Sequence, residues 1–202
     1  MPDNATAQPR LPELTRILIG PPGKVLLPLV VLLALIILNH WSLPGGGPFP
    51  LVLMGLLLGL ATVVVWTARF LVGLLRSDGR AGLRRHWVRW ACAPVIGVAV
   101  VGLVYADLPF AARFALSEAS LEQLARTVAS GDESGGHDDQ WAGLYPLTSI
   151  ERVEGGARFL VSDTGFLDRY GFAWSPGREP PDESHTGYTH IRGPWYVWES
   201  RF

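Results

Sequence analysis

Cysteine and lysine are almost missing: 202 residues hold Cys92 alone and Lys24 alone. A single thiol closes no intrachain disulfide, so the cross-linked scaffold of small secreted domains is excluded, and any exported part must stand on its own core. Acids are scarce in the first half, where only Asp3, Glu13 and Asp78 occur before residue 106. The long apolar runs between them contain no carboxylate to pair a translocated cation, which argues against a channel or transporter acting alone. No phosphate-cradling loop occurs, because Gly45-Gly46-Gly47 is followed by Pro48 rather than by Lys. The chain also lacks a basic surface outside its membrane-type half: residues 106–202 carry eight Arg against fifteen acids. Nucleic acid is therefore not an expected partner.

What is present is long hydrophobic runs. Residues 25–43 (VLLPLVVLLALIILNHWSL), 49–75 and 90–108 are each close to the length that crosses a hydrocarbon core of about 30 Å. Three transmembrane helices are expected, the first an uncleaved span, since no small-x-small cleavage site follows it. Pro28 falls in its first turn, and Trp41 sits at headgroup level. Trp87 and Trp90 form the inner aromatic belt of the third span and Tyr105 the outer one. Arg69 interrupts the second span near its inner end and snorkels toward the interface. Gly55-x-x-x-Gly59 and Ala93-x-x-x-Gly97 are small-xxx-small pairs, assigned to packing within the chain.

Between the second and third spans lies RSDGRAGLRRHWVR, residues 76–89, with five Arg and one Asp. Arg and Lys beside spans resist translocation, so this loop is expected in the cytoplasm. The divisions are then a cytoplasmic tail, 1–24; a transmembrane region, 25–108; and an extracytoplasmic domain, 109–202.

In the domain, residues 109–116 read as a tether, with Phe110 and Phe114 resting on the bilayer surface. Ser117 opens a helix whose apolar face is Leu121, Leu124, Ala125 and Val128, with Gly131 as its stop. From Trp141 the pattern shortens to strand-like runs, with Gly155-Gly156 as a hairpin turn, GFAW at 171–174 and PWYVWES at 194–200, and a long loop over 175–187. The fold class is a membrane α-helical anchor of three transmembrane helices plus a small α+β extracytoplasmic domain with an antiparallel sheet.

LPFAARFALS after the last span, GFLDRYGFAWSP at 165–176 and GPWYVWESRF at 193–202 resemble a family of small actinobacterial integral membrane proteins that end in a GPWY-type segment. The resemblance implies several spans and a short exported domain. It supplies no functional residues.

Candidate chemistry is thin. His185, His190, Asp182 and Glu183, with His137, Asp138 and Asp139, could suit a divalent ion, but the spacing matches no finger or helix pattern and solvated loops explain it as well. Asp163-Thr164-Gly165 occurs once, in a domain too small for the two-lobed aspartic protease fold. Asp168-Arg169 reads as a turn with a local ion pair. No catalytic residue, metal or cofactor is expected. Aromatic density remains, and alternation puts Trp195 on the helix-facing side and Trp198 on the other. Tyr196, Trp198, Trp174 and Tyr188 form the expected binding surface. The function expected is membrane-anchored binding or scaffolding in the bacterial cell envelope, with the bilayer and another envelope or membrane protein as partners. The alternatives are an envelope enzyme using the His-containing loops, or an accessory subunit of a membrane complex.

Overall fold

A computed structural model describes residues 26–75, 77–131, 139–165, 168–180 and 185–201. The apolar runs, with few breakers, form helices: α1 (Leu26–Trp41), α2 (Phe49–Leu75) and α4 (Trp87–Tyr105), with a short polar helix, α3 (Ser77–Arg85), between the last two. Two of these, α2 and α4, are long and apolar enough to cross a membrane; α1, at 16 residues, is shorter. Among the described residues, two helices rather than the expected three are thus long and apolar enough; α1 ends at Trp41, where Ser42 N–H and Leu43 N–H bond back to Asn39 O and His40 O. The 76–89 segment is helical over most of its length rather than an open loop.

The chain divides into two compact units, residues 1–33 with 57–98, and residues 34–56 with 99–202. In the first, Trp66 stacks on Phe70 at 5.1 Å, and both rings meet Trp90, at 6.2 and 5.7 Å. Trp90 is buried in that cluster, while Trp87 is exposed. The expected placing of Trp90 in an inner belt is corrected, since its ring serves helix packing. Small residues divide similarly. A Cβ added at Gly55 would lie 3.4 Å from Ile36 of α1, in the second unit, whereas one at Gly59 or Gly97 would meet nothing within 4 Å.

The second unit holds the domain. Its helix, α5 (Leu108–Ser130), starts nine residues before the expected Ser117. Asp107 takes a left-handed conformation (φ 53°), Pro109 fits the first turn, and no breaker follows until Gly131 (φ 85°), whose N–H bonds Val128 O at 3.2 Å. Phe114, Ser117, Leu121, Ala125 and Val128 are its buried positions, so the buried stripe extends about two turns further toward the N-terminus than the sequence reading allows. Phe110 and Phe114 are core residues, not membrane anchors: their rings lie 6.4 and 5.5 Å from Phe172.

Six antiparallel strands form the sheet β1 (Gln140–Ala142), β2 (Tyr145–Val153), β3 (Gly156–Val161), β4 (Arg169–Trp174), β5 (Thr186–Arg192) and β6 (Trp195–Ser200), in the order β1-β2-β3-β4-β6-β5. The β2–β3 turn is Glu154-Gly155, with Gly155 at φ 82°. β5 takes the last two residues of the loop expected over 175–187 and continues through 188–192, where the sequence reading assigns no element. Register separates the two faces. Ala157, Phe159 and Val161, Phe172, and Trp195 face α5; Arg158 and Leu160, Gly171 and Ala173, Tyr196 and Trp198, and Tyr188 and His190 line the outer face.

Candidate binding surface

Two cross-strand rows cross the outer face. One runs Tyr188, Trp198, Gly171, Leu160, Ser149, and the next runs His190, Tyr196, Ala173, Arg158, Glu151. β4 contributes only Gly171 and Ala173, so the middle of the face is low between the rings of β6 and the long side chains of β3. Into that depression the Trp198 indole folds across Gly171, and its Nε1 donates to Phe159 O at 3.0 Å. The Arg158 guanidinium caps the ring 5.0 Å from its centroid and forms a 2.9 Å ion pair with Glu151. Burial works against the charge on Arg158, but hydrogen bonds to Glu151 and Tyr188 more than offset it and raise its pKa.

This arrangement sorts the four expected surface aromatics. Tyr196 and Tyr188 are half-buried and share the outer face with His190, whose ring lies edge-on to Tyr196 at 5.0 Å. Trp198 is on that face too, yet only 7 % exposed; it is the floor on which the others stand. Trp174 pairs with Trp195 and Ala157, turns toward the helix side and packs against the core. The structure does not bring Trp174 to the other three.

The loop residues fare differently. His190 Nε2 lies 3.0 Å from Gly193 O, and His185 is exposed, with its carbonyl accepting the Arg201 N–H at 2.9 Å. Among the described residues no group of three or more His, Cys, Asp or Glu side chains could hold a metal ion; Asp182, Glu183, His137 and Asp138 lie outside those residues. Asp163 is an exposed turn residue at φ 53°, and Thr164 Oγ1 donates to Val161 O at 3.0 Å, so the Asp-Thr-Gly run is a turn. Asp168 directly precedes β4, which begins at Arg169.

Sequence reasoning missed a second cluster, built around Arg113. Its Nη1 donates to Ser42 Oγ (2.8 Å) and Asn39 Oδ1 (3.1 Å), and its Nη2 and Nε donate to Leu144 O (2.6 and 3.2 Å). The guanidinium carbon lies 4.9 Å from the Tyr145 ring centroid. Tyr145 is fully buried, meets Phe172 edge-on at 4.7 Å, and its hydroxyl donates to Ser42 O at 3.3 Å. Gly165 N donates to Gly46 O at 3.1 Å, and Gly45 lies directly beneath the Tyr170 ring. The short turn after α1 is thereby built into the domain. The sequence signal is an Arg on the border of an apolar helix stripe, one turn before Ser117, which by itself is ordinary.

Burial holds the Tyr145 hydroxyl protonated well above the usual phenol range, Arg113 pulls it down, and Asp107 adds to the rise. In the unfolded chain a tyrosine ionises near about pH 10. The native state therefore keeps a proton that the unfolded state loses, so stability is full below that pH and falls as pH rises past it. Tyr145→Phe is expected to reduce this alkaline slope while costing about 1 kcal/mol at neutral pH for the lost hydrogen bond. Urea midpoints compared at pH 7 and above pH 10 check both parts. A slope unchanged by the substitution would assign the alkaline loss to other groups.

No family model, curated protein or solved structure matches the chain.

Proposed function

We propose that this chain is a membrane-anchored protein of the bacterial cell envelope whose C-terminal domain binds or scaffolds another envelope protein through the outer face of its sheet. The single observation that carries the reading is that face itself. Among the described residues α5 covers one side of the sheet and no helix packs on the other, which presents Tyr188, Tyr196, His190 and the Arg158–Glu151 pair. Tyr, Trp and Arg are the residues enriched where proteins meet, and a rigid indole floor lowers the entropy lost on docking.

Anchoring is supported by α2 and α4, which expose large apolar side chains along their lengths, Leu56, Leu60, Val98 and Val101 among them. In this proposal α1 also spans, assisted by flanking residues, the N-terminus and the 76–89 segment lie in the cytoplasm, and everything after residue 108 is outside. The resemblance to small actinobacterial membrane proteins agrees with that layout.

The test places a photo-crosslinking amino acid at Tyr196 in the full-length protein in its host membrane. A discrete adduct at position 196, absent when the same group replaces exposed Gln123 on α5, is the expected result. Adducts of the same kind from both positions, or from neither, would remove the outer face as the docking surface.

A further inference from the structure

The basic segment between α2 and α4 does more than carry charge: it forms a groove. Leu74, Arg80, Leu83, Arg84 and Arg85 line an open depression of about 830 Å³. Arg80 and Arg84 are one turn apart on α3 and share a face with Leu83, whose side chain packs against Gly73: a Cβ there would lie 3.1 Å from Leu83 Cδ1. Arg80 is oriented, because its Nε donates to Leu74 O at 2.8 Å, a carbonyl in the last turn of α2. The rest of its guanidinium, with those of Arg84 and Arg85, carries the positive charge of the groove. Among the residues whose side chains are described, no carboxylate pairs with any of the three. Three guanidiniums over a leucine floor, at the end of a helix apolar enough to cross a membrane, match one chemistry: a phosphate diester that carries an apolar tail.

We infer that this groove binds an anionic phospholipid, the Arg side chains on its phosphate and Leu74 and Leu83 beside its acyl chain. A guanidinium presents paired N–H donors that fit phosphate oxygens, and basic groups at a membrane surface are attracted to anionic lipid. The leucines distinguish this ligand from free phosphate, which has no use for them. The inference rests on the membrane-anchored reading with the 76–89 segment at the cytoplasmic surface.

Native mass spectrometry of the full-length protein from an uncharged detergent, given equal phosphatidylglycerol and phosphatidylcholine, tests it. One retained phosphatidylglycerol is expected in preference to phosphatidylcholine by about tenfold or more, a conservative figure for three basic side chains at an anionic surface. Arg80→Gln/Arg84→Gln should abolish the preference, and Leu83→Ser should lower retention without changing the charge. Arg126→Gln, on α5 of the other unit and paired with Glu122, should leave it intact. Equal retention of both lipids, or a preference that survives the double substitution, overturns the site. Displacement of the lipid by millimolar inorganic phosphate would overturn the lipid assignment in favour of a free anion. A reporter fused after Phe202 reads topology independently: cytoplasmic activity there would defeat the membrane orientation even if the groove retained its lipid preference in detergent.

Discussion

Trp195→Ala is expected to lower the stability of the domain by about 3–5 kcal/mol, the range for truncating a buried aromatic residue. The ring is 1 % exposed and lies between Phe114 of α5, at 5.8 Å edge-on, and Phe159 of β3, at 6.3 Å. It therefore touches both layers, and removing it opens a cavity at the centre of the only core available to a domain without disulfides. Trp198→Ala should cost less, about 2–3 kcal/mol, because its indole lies on the outer face of the sheet, capped by the Arg158 guanidinium, rather than between the two layers. Trp198→Phe isolates the hydrogen bond to Phe159 O, at about 1 kcal/mol. Urea titration of the detergent-solubilised protein, followed by near-UV circular dichroism, measures all three. A loss below about 1 kcal/mol for Trp195→Ala would contradict the two-layer core, since no buried aromatic truncation is so mild.

Gly171→Ala is the second large effect. A methyl group at that position would lie 1.8 Å from Phe159 O and 2.7 Å from Trp198 Nε1. The first neighbour is main chain of the adjacent strand and cannot move aside; the second is the indole that fills the depression. Overpacking of this kind costs about 1–3 kcal/mol, and loss of the Trp198 hydrogen bond adds about 1 kcal/mol. The expected result is a drop of about 3 kcal/mol with Tyr188 and Tyr196 displaced, so the crosslink from position 196 should weaken with it. Gly177→Ala is the control: it lies in a loop with nothing within 4 Å of the added atom, and its midpoint should not change. A tolerated Gly171→Ala would mean that Trp198 does not lie across β4.

Much of the domain is legible in the residues, and the gaps have physical causes. Alternation in Trp195-Tyr196-Val197-Trp198 assigns the two faces of β6 as the register does, because a period of two leaves no other choice. Ser117 looks like a helix start by residue type, yet it is buried within α5 and its hydroxyl donates to Arg113 O and accepts from Leu144 N, each at 2.9 Å, while Pro109 sits in the first turn. β5 was invisible because Thr-Gly-Tyr-Thr-His-Ile-Arg is polar and sits at a sheet edge, where strands are short of apolar residues by necessity. Trp174 lies opposite Gly171 by alternation within β4, but which of those faces meets the helix depends on pairing with β3 and β6, which is a non-local fact. The Arg113 cluster links residues 74 apart and could not be read from any window.

The turn between α1 and α2 has a practical consequence for anyone handling the protein. Loops on a surface are the usual places for tags and insertions. This one is not, because Gly45 has φ 68° with the Tyr170 ring 2.1 Å from any added Cβ, and Gly46 O accepts the Gly165 N–H. An epitope placed in residues 42–48 would be expected to unseat the domain that begins some sixty residues later in the chain, and a screen would misfile the damage as a fault of membrane insertion. The Glu154-Gly155 hairpin, where an added side chain meets nothing within 4 Å at Gly155, is the better site for a label.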